Sequence, residues 1–185
     1  MVPEIDGSQA EVSFLNHFLL KRGYEHVSCR VTALDPEGTR IESRLVTINE
    51  PRVYTLPLSG LSGAPASAYL IEFFSADNLY IPFPAVMINH RGERHLNTVH
   101  AYNRVLNDVF EDDAINSTHV SEASIDVAHG ADDDTFVMLT AGLQPCRGQL
   151  SFELTSGQAK LDAHVDVTVP RLCHQKHLLS SYFPD

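Results

Sequence analysis

The chain is poor in cysteine and has no long apolar run. Its three cysteines, Cys29, Cys146 and Cys173, are odd in number, far apart and outside any CxxC pattern. That excludes a disulfide framework and the common zinc spacings, and it predicts reduced thiols in a cytoplasmic compartment. No apolar stretch reaches the ~18 residues a spanning helix requires, and the first residues, MVPEIDGSQAEV, carry neither the basic nor the apolar part of a signal peptide. Basic clusters are missing too. Formal net charge is −11, and such a field repels nucleic-acid phosphates and anionic membranes alike. The densest cationic spot, Arg91, Arg94 and Arg104, is interrupted by Glu93.

Signature motifs are equally scarce. There is no GxSxG, GxGxxG, P-loop, HExxH or H-x-H sequence, so the familiar nucleophile, dinucleotide, phosphate and metalloprotease patterns carry nothing here. The acidic runs Glu111-Asp112-Asp113 and Asp132-Asp133-Asp134 lack the alternating oxygen ligands and the glycine of a calcium loop and read as solvated turns.

What is present is alternation. Val27, Cys29, Val31 and Ala33 alternate with polar residues, as do Leu150, Phe152 and Leu154, and Leu161, Ala163, Val165, Val167 and Val169. This is the mark of half-buried antiparallel strands. Asp35-Pro36-Glu37-Gly38 and Ser156-Gly157-Gln158 supply turns between such runs. Further strands are expected near 11–19, 52–58, 66–75, 79–90, 118–127 and 135–141. The segment 96–110 also carries helical spacing, but a strand to about 104 followed by a helical turn is the favoured reading.

The fold class that follows is all-β, an antiparallel β-sandwich of jelly-roll or Ig-like type with little helix. At 185 residues the chain suits a single domain, 1–185, or two smaller β units, 1–115 and 116–185. A faint repeat raises two pseudo-repeated halves. Val46-Thr47-Ile48 precedes Pro51-Arg52-Val53 much as Val167-Thr168-Val169 precedes Pro170-Arg171-Leu172, with a two-residue gap between the two copies. Convergent strand patterns would give the same match.

Function concentrates in Leu79 to His100, LYIPFPAVMINHRGERHLNTVH. Pro82 and Pro84 exclude a helix and remove ladder donors on one side, so 79–88 reads as an edge or bulged strand. An apolar edge bearing Tyr80, Phe83, Val86, Met87 and Ile88 is a candidate interface, for a second copy or another protein. Beyond it, His90, Arg91, Arg94, His95, His100, Tyr102 and Arg104 form a candidate site for a small anionic or sugar-like ligand. If Arg91-Gly92-Glu93-Arg94 is the loop of a hairpin, His90 and His95 stand opposite each other, about 5 Å apart at Cβ, with His100 on the other face. That pair is the candidate divalent metal site, with Asn89 or Glu93 helping. No organic cofactor is indicated. Cys173-His174-Gln175-Lys176-His177 is a second, weaker cluster, read as a buried strand cysteine with surface histidines.

These residues favour a non-enzymatic binding or assembly module, forming a homo-oligomer or meeting a protein partner. The alternatives are a metal-dependent enzyme using His90 and His95, with Glu93 or Asp108 as acid or base, and a structural subunit of a larger particle.

Overall fold

The computed structural model describes residues 1–79, 81, 84–101 and 135–184. The chain divides into two compact units, Met1–Asn107 and Asp108–Asp185. Its described residues are almost all β, every strand pairing is antiparallel, and there is one α-helix among them. The expected all-β, sandwich-like class therefore holds.

Unit 1 contains β1 (Val2–Pro3), β2 (Ser8–Leu15), α1 (His17–Arg22), β3 (Val27–Leu34), β4 (Arg40–Ile48), β5 (Val53–Pro57), β6 (Ala68–Ser75), β7 (Val86–Gly92) and β8 (Leu96–Ala101). They form two four-stranded sheets, ordered β1-β6-β3-β4 and β5-β2-β7-β8. One core joins residues of both sheets, including Val12, Phe14 and Ile88 from one and Val27, Cys29, Val31 and Ala33 from the other. Side chains on one face of a strand recur every second residue, so the alternation in β3 becomes a buried face directly. The β3–β4 turn follows its sequence as well. The Asp35 carboxylate accepts from the amides of Glu37 and Thr39 at 3.0 and 2.7 Å, and Gly38 takes φ 77°, a conformation that favours glycine.

Helix α1 was missed by the alternation, which carries a strand through to residue 19. Its start is set by Asn16, whose Oδ1 accepts from the Leu19 amide at 3.2 Å. Its end is set by Gly23 at φ 67°. Only Phe18 of the helix is buried, within the core. Six residues with one buried side chain carry too weak a periodicity to compete with the strand pattern before them.

Unit 2, in its described part, contains β9 (Phe136–Thr140), β10 (Cys146–Ser156), β11 (Ala159–Val169) and β12 (His174–Leu178), then a 3-10 turn over Leu179–Ser181. β10 pairs with β11 over a full hairpin, and β9 pairs with β12. A small core of Ala141, Val169 and Cys173 joins the two pairs. The strand expected at 118–127, the acidic turns at 111–113 and 132–134 and the helical turn after 104 lie outside the described residues.

Candidate functional site

Of the proline-broken run, Val86, Met87 and Ile88 belong to an interior strand and not to an edge. The strand starts at Val86, after both prolines, and β7 lies between β2 and β8 with ladders on both sides. The reason is the one that made the prolines conspicuous. A residue without an N–H cannot serve an interior ladder, so the ladder begins where the prolines stop. The candidate interface divides accordingly. Val86 and Ile88 are buried in the core, whereas Met87 is exposed. Tyr80 and Phe83 lie outside the described residues, as do Tyr102, Arg104 and Asp108.

The hairpin register separates the histidines. Arg91 pairs with Leu96 and His90 with Asn97, while the Gly92 amide bonds to the His95 carbonyl at 2.9 Å. His90 and His95 are therefore not opposed across a four-residue loop; β7 runs to Gly92, two residues further into the turn than expected, while β8 begins at Leu96. His90 shares parity with Val86 and Ile88 and faces the core, 5 % exposed. His95 is exposed at the turn, its ring lying where a Cβ on Gly92 would sit. His100 pairs with Met87 on the outer face. His95 stands opposite Gly92, on the side of the sheet that His90 faces and one pair further along, with His90 buried and His95 exposed. No group of three or more His, Cys, Asp or Glu among the described residues is placed to hold one.

His90 sits instead in a buried polar knot. Its cross-strand neighbour on β2 is Ala10, whose small side chain leaves room for a ring. The Ala10 amide donates to Ser59 Oγ at 2.8 Å, and Ser59 Oγ donates to Glu4 Oε1 at 2.8 Å. Burial holds the His90 imidazole below its ordinary range, opposed by the negative charge of Glu4. Burial also pushes the Tyr69 phenol up to about 12, helped by the charge of Glu4 and a hydrogen bond to it. Among the described residues, His90 Nδ1 and Glu4 Oε2 have no hydrogen-bond partner. Ser59 gives its proton to a carboxylate, so the knot is wired as a structural network and lacks the serine-to-imidazole bond an activated nucleophile needs. Sequence reading missed it because Glu4 and Ser59 are 55 residues apart and no local pattern joins them.

The outer face of the β5-β2-β7-β8 sheet carries the accessible chemistry. Register sets its rows: Thr55, Ser13, Met87 and His100; then Pro57, Glu11, Asn89 and Thr98; then Gln9, Arg91 and Leu96. The middle row is bonded across strands. Asn89 Nδ2 donates to Glu11 Oε1 at 2.9 Å, and Thr98 Oγ1 donates to Asn89 Oδ1 at 2.9 Å. Such bonds fix side-chain rotamers before any partner arrives. Met87 is 38 % and Leu96 57 % exposed on either side of this row. A shallow depression lined by Gln9, Glu11, Pro57, Ser59 and Arg91 opens at one end.

In unit 2, Cys173 and His177 are both buried and His174 is half-buried. The expectation of a buried cysteine holds, but His177 is not a surface residue. Its Nδ1 bonds to the Tyr182 hydroxyl at 2.7 Å, and both rings pack with Phe152. No family model matches the chain, and no curated protein or solved structure matches it. No helix among the described residues is long and apolar enough to cross a membrane.

Proposed function

We propose that this protein is a non-enzymatic binding and assembly module that meets a second copy of itself through the outer face of the β5-β2-β7-β8 sheet. The observation that carries the reading is the composition of that face. A pre-bonded polar row, Glu11-Asn89-Thr98, lies between exposed Met87 and exposed Leu96, with Arg91 beside it. Apolar anchors around fixed polar groups, with an arginine, are the composition of contact surfaces. The surface is thus moved from the proline-broken run to the sheet that follows it. It keeps Met87, Arg91 and His100 from the residues the sequence nominated, with Arg94 and His95 at the adjoining turn. The depression beside Arg91 is the place on this face for a small anionic or sugar-like ligand. Three free cysteines, with the Cys29 thiol pushed up to about 12 by burial and then by Glu72, fit a reducing, cytoplasmic setting.

Light scattering tests the reading. The wild type is expected to run as an oligomer that Met87→Asp and Arg91→Glu convert to monomer without loss of the far-UV spectrum. A monomeric wild type at tens of micromolar, or variants that assemble as well as wild type, would overturn it.

A further inference from the structure

The outer face of the β5-β2-β7-β8 sheet carries two opposite charges that one copy of the chain keeps apart. Arg91 is exposed and, among the described residues, belongs to no ion pair. Glu11 stands diagonal to it, one strand across on β2 and two residues along. The carboxylate does not turn to the arginine. Its Oε1 accepts from Asn89 at 2.9 Å, and Asn89 is held in turn by Thr98. Apart from His100, no other member of the three rows is a titratable residue. On the same count that gives the chain −11, the rows sum to zero. Copies of so acidic a chain repel one another, and a neutral face bearing one charge of each sign is where that repulsion is least.

We infer that two copies pair face to face about a two-fold axis that sets Arg91 of each over Glu11 of the other. The inference rests on the reading that this face meets a second copy, and it fixes how the copies meet. A two-fold contact is self-complementary, so both Arg91–Glu11 pairs form together. The axis lies in the plane between the sheets and bisects the Arg91–Glu11 diagonal at right angles. That diagonal spans one strand spacing, about 4.8 Å, and two residues, about 6.8 Å. It leans about 35° from the strands, so the strands of the two copies cross at about 70°. That angle lies near the orthogonal class of sheet-on-sheet packing. The sheets then stand about 10 Å apart, a gap that an arginine and a glutamate reaching from opposite sides can close.

The same axis carries the other side chains of the face to matching partners. Met87 of one copy falls, in projection, about 4 Å from Leu96 of the other, and both residues are exposed. Gln9 and Asn89 fall beside the axis and face their own copies, and an amide, with a donor and an acceptor, can bond to its twin. An axis parallel to the strands between β2 and β7 does worse. It would set Arg91 over Gln9 and Glu11 over Asn89, the residues already paired with them across the ladder. Both charges would then lose water without gaining a counter-charge.

Analytical ultracentrifugation of the full chain tests the pairing, with far-UV circular dichroism to confirm that each variant folds. Arg91→Glu sets two carboxylates against each other at both symmetry-related sites, and Glu11→Arg sets two guanidinium groups. Each should weaken self-association by about tenfold or more. An equimolar mixture of the two variants makes every cross-axis pair opposite in sign, as does the double variant. Both should recover association to within about threefold of wild type. Rescue by mixing occurs only if the two positions meet between molecules, because a role within one sheet cannot be restored by another copy. If Met87→Asp dissociates the wild-type assembly but the mixture and the double variant do not recover, the pairing is overturned while the contact face stands. Single reversals that associate as tightly as wild type overturn the pairing as well. A wild type that is monomeric at tens of micromolar overturns the face and the pairing together. If one single variant does not fold, the double variant decides.

Discussion

Replacing Ile88 and Met87 by alanine, one at a time, examines the correction on which the candidate site rests. The two are adjacent in sequence and point to opposite faces of β7. Ile88 is 7 % exposed, within the core, and Met87 is 38 % exposed on the outer face. Ile88→Ala deletes roughly three carbon groups, each contributing about 0.8 kcal/mol when buried. The unfilled space adds to that loss, which places the variant at about 3 kcal/mol, inside the usual range of about 2–5 kcal/mol. Met87→Ala removes side-chain surface that water already reaches, and should cost less than about 1 kcal/mol. The chain has no tryptophan, so urea unfolding is best followed by far-UV circular dichroism. With a slope of about 2 kcal/mol per molar urea, the Ile88 variant's midpoint falls by about 1.5 M and the Met87 variant's by under about 0.5 M. Equal losses, or a larger loss at Met87, would mean that β7 presents its other face to the core, and the assigned outer surface would be wrong. The assembly experiment should show the reverse order, with Met87 the sensitive position.

Two further outcomes follow from the buried polar groups. The folded-state pKa of His90 is lowered by burial, so the unfolded chain takes up the proton first as pH falls. Its contribution to stability is complete above the ordinary value of 6.5 and is lost progressively below it, towards the lower folded value. His90→Leu should flatten stability between pH 6.5 and the acid limb relative to wild type; an unchanged slope would show that His90 is not the group responsible. The Tyr54 hydroxyl, on a side chain 4 % exposed, accepts from the amides of Asn49 and Glu50 at 3.1 and 3.0 Å. Tyr54→Phe strands both donors and should cost about 1–3 kcal/mol in the same urea titration; a neutral substitution would show that water satisfies them.

Much of the β architecture could be read from residue order, because it depends on short-range rules. Alternation in β3, β10 and β11 states which side chains face inward, and Asp35-Pro36-Glu37-Gly38 and Gly157 state where the chain reverses. Those features depend on neighbours a few residues apart, where steric preference and side-chain parity act directly. The failures are also instructive. Pro84 lies just before the ladder, which starts with β7 at Val86, and β7 is an interior strand and not an open edge. Nothing local to 79–92 reveals that β2 and β8 flank it. The offset that parts His90 from His95 is a property of the hairpin register, and a shift in where the loop ends moves each residue to a new partner.

Residue order therefore determined the strands, the turns and the acidity that repels phosphate. Tertiary structure decided the rest. It buried His90 beside Glu4, opened Met87 and Arg91 to solvent, and brought β2 to β5 and β9 to β12. The reason is physical. Which strand lies beside which is chosen by burying two apolar faces against each other, and that choice joins residues far apart in the chain for which no local pattern is written.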